Sequence, residues 1–171
     1  RTPVSVLLAH VDGLAASFSS LGLKVGDVVT LYLPTCPQAI AAFYACSKCG
    51  LIANVVHPLT PIAKLGQNLQ AVGSKALLFY DALVKDERPL AEFGQILVRC
   101  SISDYVSLRK PIYKLYSAIS GKRLGGGKCL SYSKLVRNKT VTVDCGNAQD
   151  PVCYMHSGGT GGEPKTVVLS N

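Results

Sequence analysis

Three short runs constrain this chain more than any other feature: "GDVVTLYLP" (residues 26–34), "LIANVVHP" (51–58) and "KALLFYD" (75–81). Each is apolar almost throughout instead of alternating, the pattern of strands buried on both faces of a parallel sheet. Between them lie "TCPQAIAAFYACSKCG", with Pro37 near its start and Gly50 at its end, and "TPIAKLGQNLQAVG", with Thr60 placed to cap, Pro61 at the first position and Gly73 at the stop. Proline inside the start and glycine past the end is the asymmetry of helices. Residues 27–81 therefore predict a β-α-β-α-β core, and the fold class is α/β, a mostly parallel sheet flanked by helices. Upstream, "SVLLAHVDGLAASFSSLG" puts Leu7, Val11, Leu14, Phe18 and Leu21 on one helical face, with Gly22 as its stop.

The rest of the chain is less regular. "FGQILVRCSI" is expected to contain a further strand, and "SLRKPIYKLYSAISGKR" spaces Ile112, Leu115, Tyr116 and Ile119 as a helix would. "RLGGGKCLSYSK" reads as a loop and "KTVTVDCG" as a short strand. The tail reads strand–glycine loop–strand, with "DPVCYMHS" and "KTVVLSN" as the two arms.

Composition supports a packed domain: 48% of the 171 residues are hydrophobic and 16% charged. The first residue is Arg and the last residues, "TVVLSN", read as an unfinished strand, so a piece cut at both ends is expected. The net charge of +8 sits in the middle: residues 82–140 hold twelve basic and four acidic side chains. Lys110, Lys114, Lys122 and Arg123 flank the helical stripe there, and residues 85–139 raise the alternative of a non-catalytic module binding polyanions or a membrane surface. A solvated basic face is the plainer reading, and no nucleic-acid partner is expected.

Seven cysteines, at 36, 46, 49, 100, 129, 145 and 153, are odd in number and irregularly spaced, unlike a secreted disulfide framework. A reduced, cytoplasmic chain is expected. Cys46 and Cys49 form a C-x-x-C, but near a helix end and with no second pair, so buried thiols are expected and no metal site. His10 falls on a helix with no ligand partner nearby in sequence, and His57 precedes Pro58 in a loop.

The segment "HSGGTGGEPKT" (156–166) carries the chemistry. A P-loop requires G-x-x-x-x-G-K-[ST] and then a helix, but Pro164 stands where the second glycine belongs and the residues that follow are β-branched. The dinucleotide fingerprint G-x-G-x-x-G lacks its closing glycine and belongs at a strand-to-helix turn. The order Ser157-Gly158-Gly159-Thr160-Gly161-Gly162-Glu163-Pro164-Lys165 instead resembles the phosphate loop of the adenylate-forming (AMP-binding) enzymes, the acyl-CoA synthetases and fatty-acid–CoA ligases among them. Their pattern is [ST]-S-G-[ST]-[ST]-G-x-P-K, then G-V-x-L-[ST]-H. Ser157, Gly159, Thr160, Gly162, Pro164, Lys165, Val167, Leu169 and Ser170 match it; Gly158, Gly161, Thr166 and Asn171 depart from it. At Gly161 a hydroxyl that would hold phosphate is lost. The resemblance extends over residues 5–81, where a helix leads through "LGLKVGD" to a strand ending in Pro, then an Ala-rich helix and a strand ending at "HP".

The resemblance implies an N-terminal AMP-binding domain, partial over 1–171 and without its C-terminal domain: core 27–81, variable basic segment 82–150, phosphate-loop hairpin 151–171. It implies ATP, Mg²⁺ and CoA as cofactors and a small-molecule carboxylic acid, expected to be a fatty acid, as substrate. Ser157, Gly158, Gly159, Thr160, Gly161, Gly162 and Lys165 would hold the ATP phosphates, and His156 would contact substrate or phosphate. The physics is compatible: adjacent glycines let backbone N–H groups converge on an anion, and lysine supplies a compact charge. Catalytic residues are expected beyond residue 171. The chain alone is expected to be inactive as a ligase and to self-associate through exposed edges.

Overall fold

A computed structural model describes residues 2–84, 86–105, 129–138, 149–156 and 165–170. The elements run α1 (Val4–Ser20), β1 (Val28–Tyr32), α2 (Pro37–Lys48), β2 (Ile52–Val55), α3 (Ile62–Ala71), β3 (Ser74–Tyr80), α4 (Arg88–Ala91) and β4 (Ile96–Cys100). A 3-10 turn (Ile102–Asp104) follows, then β5 (Cys129–Ser131), α5 (Tyr132–Leu135), β6 (Pro151–His156) and β7 (Thr166–Ser170). Among the described residues the strands form one sheet in the order β5-β4-β3-β1-β2-β6-β7. All neighbours pair in parallel except β6 and β7, which are antiparallel. The expected α/β class is present, and the two arms of the expected closing hairpin, β6 and β7, pair antiparallel.

Topology explains why the first strands read as continuous apolar runs. β2 and β3 flank β1 on opposite sides, so crossovers of one hand place α2 and α3 on opposite faces of the sheet. On one face, Val11, Leu14 and Phe18 of α1 and Ala41, Ala42 and Ala45 of α2 pack against Val29, Leu31, Ala53, Leu78 and Val98. On the other, Leu65 and Leu69 of α3 and Leu90 of α4 pack against Tyr32, Val56, Leu77, Phe79 and Leu97. Alternate residues of one strand thus serve two cores. Gly22 and Gly73 end α1 and α3 in the left-handed region, with φ of 83° and 62°, where a Cβ is strained.

Two local expectations change. Pro61, not Thr60, occupies the N-cap of α3, in extended geometry (φ −56°, ψ 142°), and the helix begins at Ile62. The Tyr32 hydroxyl donates to the Thr60 carbonyl at 2.8 Å, which holds that turn outside the helix. Part of the segment read as a loop is ordered: Cys129–Ser131 pair with Leu97–Arg99 of β4, and Tyr132 is fully buried in the core beneath α1. A three-residue strand has no periodicity of its own, so only its neighbour reveals it. Residues 82–150 therefore contribute β4 and β5 to the same sheet. The helical stripe with Lys110, Lys114, Lys122 and Arg123, the "KTVTVDCG" segment apart from its neighbours, and Cys145 lie outside the described residues.

α1 docks closely on the end of α5. A Cβ on Gly13 would lie 2.2 Å from the Val136 carbonyl oxygen, and the Ser17 hydroxyl donates to the Leu135 carbonyl at 2.7 Å. His10 of α1 does find partners here: its Nδ1 lies 2.7 Å from the Tyr105 hydroxyl and 3.2 Å from that of Tyr132. No helix among the described residues is long and apolar enough to cross a membrane.

Candidate functional site

The carboxyl ends of parallel strands are where open α/β sheets bind ligands, because loops and helix starts converge there. β6 runs parallel to β2 and ends at that edge with His156. The chain returns as β7, with His156 opposite Thr166 in register. The segment between them holds Ser157, Gly158, Gly159, Thr160, Gly161 and Gly162, which lie outside the described residues. Lys165 is described; it is exposed and immediately precedes β7. Because Thr166 begins a strand and not a helix, the P-loop alternative is excluded.

His156 is half-buried and faces the sheet interior on the α3 side. Its Nε2 lies 2.7 Å from Asn54 Oδ1 and 3.0 Å from Asn68 Nδ2, while its Nδ1 lies 3.2 Å from Thr166 Oγ1. The contacts continue inward. Asn54 Nδ2 donates to Thr30 Oγ1 at 2.9 Å and to Asn68 Oδ1 at 2.8 Å. Thr30 and Ser74 share a hydrogen bond of 2.7 Å, and Ser74 donates to the Ala76 carbonyl. One polar track therefore crosses five adjacent strands, β3, β1, β2, β6 and β7, with Asn68 of α3 lying over it. Thr30 and Asn54 are fully buried, so without these partners each would carry an unmet desolvation cost of about 1–3 kcal/mol. Burial also lowers the His156 pKa below its ordinary value of 6.5, which keeps the ring neutral at physiological pH.

The expected site residues are thus only partly brought together: His156 and Lys165 frame the glycine segment, and His156 is engaged with the sheet. Sequence reading missed Asn54, Asn68, Thr30, Ser74 and Thr166. A signal was available. Thr30 and Asn54 interrupt runs whose other residues are apolar, and a polar side chain buried on both sides requires a partner.

Other candidates resolve plainly. Cys46 and Cys49 are buried and unbridged, and burial pushes the Cys46 thiol well up; a reactive pair would need the opposite. No group of three His, Cys, Asp or Glu side chains among the described residues is placed to hold a metal. His57 is an exposed loop residue whose Nδ1 accepts the Leu59 amide. On the opposite face from His156, Leu31, Leu33, Ala39, Ile40, Phe43 and Val55 line an open apolar groove of about 420 Å³.

A mostly parallel sheet flanked by helices, closed at one edge by the antiparallel pair β6 and β7, defines the chain as an α/β unit. The AMP-binding enzyme model matches residues 5–171, and the chain belongs to that family. The resemblance read from the glycine segment is borne out. The chain is 27% identical over 163 residues to 4-coumarate–CoA ligase 1 of Arabidopsis thaliana, covering 92% of this chain and 26% of that protein. It is 30% identical over 170 residues to the acetyl-coenzyme A synthetase of Brucella anthropi, covering 93% and 25%. In fold it is similar to acetoacetyl-CoA synthetase from Streptomyces lividans, with a TM-score of 0.73 at 22% identity, over 97% of this chain and 25% of that one. ATP-bound MatB from Rhodopseudomonas palustris gives 0.66 at 15% identity, over 96% and 28%. The chain spans about a quarter of the length of the curated relatives it matches.

Proposed function

We propose that this chain is the phosphate-loop-bearing part of an ATP-dependent, AMP-forming acid–CoA ligase. The supporting observation is the hairpin at the carboxyl edge of a family-matched sheet, with His156 and Thr166 paired at its base and Lys165 at its exit. Ser157, Gly158, Gly159, Thr160, Gly161 and Gly162 supply backbone and hydroxyl donors to the β- and γ-phosphates, and Lys165 neutralises charge as pyrophosphate departs. The acid's carboxylate attacks the α-phosphate of ATP, giving an acyl-adenylate and pyrophosphate; the CoA thiol then takes the acyl group and releases AMP. Mg²⁺, when bound, would offset charge on the departing phosphates. The acid is a fatty acid, a reading the apolar groove beside α2 supports. The described cysteines are unbridged, which supports a reducing, cytoplasmic setting. The chain alone lacks ligase activity and self-associates through β7, whose residues are all exposed.

The test is ATP-dependent acyl-hydroxamate formation by the full-length protein that carries this chain, over acids from acetate through 4-coumarate to long fatty acids. Activity is expected, highest with a fatty acid, and Lys165→Ala is expected to lower it on the order of a hundredfold. Absence of product with every acid, in a folded protein, refutes the ligase reading. Preference for a short or aromatic acid refutes only the substrate. Restoring a hydroxyl with Gly161→Thr is expected to raise the rate.

A further inference from the structure

We propose that His156 is a positioning residue that fastens both ends of the glycine segment to the buried interior of the sheet, and that it does not contact the substrate. This rests on the proposal that the segment binds phosphate. Three observations carry it. First, His156 and Thr166 are the residues on either side of segment 157–165, and they face one another in register. Second, the imidazole contacts both arms of the hairpin and the interior at once, through Nδ1 to Thr166 on β7 and through Nε2 to Asn54 on β2. Third, Asn54 is itself immobilised, fully buried and hydrogen-bonded to Thr30 and Asn68. With the ring proton on Nε2, His156 donates to Asn54 Oδ1 at 2.7 Å and the Thr166 hydroxyl donates to Nδ1; Asn68 Nδ2, itself a donor, then lies 3.0 Å from Nε2 without a hydrogen bond to it.

A glycine-rich segment gains phosphate affinity only if its backbone donors converge without first losing much entropy. Fixing the two ends against a rigid sheet removes part of that entropy beforehand. Outer-shell contacts that orient metal ligands change affinity by about 10–100-fold, and an effect at the lower end of that range is expected here. Thr166 stands where the resembled pattern has glycine, so the cross-strand hydroxyl contact is a feature of this chain's own sequence.

The experiment uses the full-length protein that carries this chain, with ¹⁵N spectra of the histidine side chains and titration with inorganic tripolyphosphate. His156 is expected to show one fixed neutral tautomer protonated at Nε2. Thr166→Val removes only an exposed hydroxyl, so folding is not at risk; it is expected to mix the His156 tautomers and weaken tripolyphosphate binding about tenfold. His156→Phe is expected to weaken binding to the same extent, and His156→Gln, which keeps a donor toward Asn54, to restore most of the affinity. A His156 with averaged tautomers overturns the inference, as does unchanged affinity in Thr166→Val and His156→Phe. A wild-type chain that shows the fixed tautomer yet binds no tripolyphosphate overturns the phosphate reading itself, and the tautomer signal separates that result from a failure of the inference alone.

Discussion

The two faces of the sheet are built from the same strands and differ in kind. Toward α1 and α2, alternate residues of β1, β2, β3 and β4 contribute apolar side chains: Val29 and Leu31, Ala53, Ala76 and Leu78, Val98 and Cys100. Toward α3 the apolar packing is confined to one side, around Leu65, Leu69, Leu77 and Phe79. The remainder is a hydrogen-bonded track from Ser74 through Thr30 and Asn54 to His156. Apolar packing is non-directional, whereas hydrogen bonds fix positions. The first face therefore packs without directional preference, and the second exchanges apolar contacts for buried hydrogen bonds that fix His156 and Thr166 relative to the sheet.

The contrast can be broken most severely on the apolar face. Phe18, fully buried beneath the sheet, is expected to lose about 3–5 kcal/mol on replacement by Ala, from lost transfer energy and a residual cavity. Urea unfolding measures this, and a loss under about 1 kcal/mol would mean that α1 does not pack as described. On the polar face, Asn54→Ala leaves Thr30, Asn68 and His156 short of a partner and is expected to cost about 1–3 kcal/mol. Thermal unfolding equal to wild type would show that the track contributes nothing to the folded state.

A smaller effect tests how closely α1 docks. Gly13→Ala gains about 1 kcal/mol of helix propensity. Its Cβ, however, meets a backbone carbonyl at 2.2 Å, and such overpacking costs about 1–3 kcal/mol. A net loss of stability is expected; a gain would place Val136 farther from α1.

The smallest effect is that of pH. His10 and His156, one packed toward each face, both have pKa values lowered from 6.5 by burial. Such a histidine binds protons more readily once unfolded. Stability is therefore full above about pH 6.5 and declines as pH falls through that value toward the lower folded pKa. Melting temperatures between pH 7.5 and 5 are expected to fall, with a shallower slope in His10→Gln and in His156→Gln. Unchanged slopes in both variants would assign the pH dependence to other groups.

Self-association through β7 is the outcome expected from the same geometry. β7 is an edge strand among the described residues, and Val167, Val168 and Leu169 are 46%, 55% and 43% exposed, as is expected of a strand awaiting a covering partner. Light scattering of the concentrated chain is expected to show oligomers, and a monomer would count against exposed-edge pairing.

The sequence by itself determined the local periodicities and their punctuation. Continuous apolar runs identified β1, β2 and β3 because each strand is covered on both faces, and Gly22 and Gly73 marked helix ends because a left-handed residue is required there. Ser157 to Lys165 carried the family pattern, and the AMP-binding match over residues 5–171 agrees with it. Tertiary structure alone decided the rest. β5 exists because β4 offers it an edge, and Tyr132 is buried because α1 covers it. The track linking Ser74, Thr30, Asn54, Asn68, His156 and Thr166 joins residues up to 102 positions apart where they bond directly. No local pattern encodes such a contact, because hydrogen bonding between side chains depends on which strands become neighbours, and sheet order is settled only when the whole chain packs.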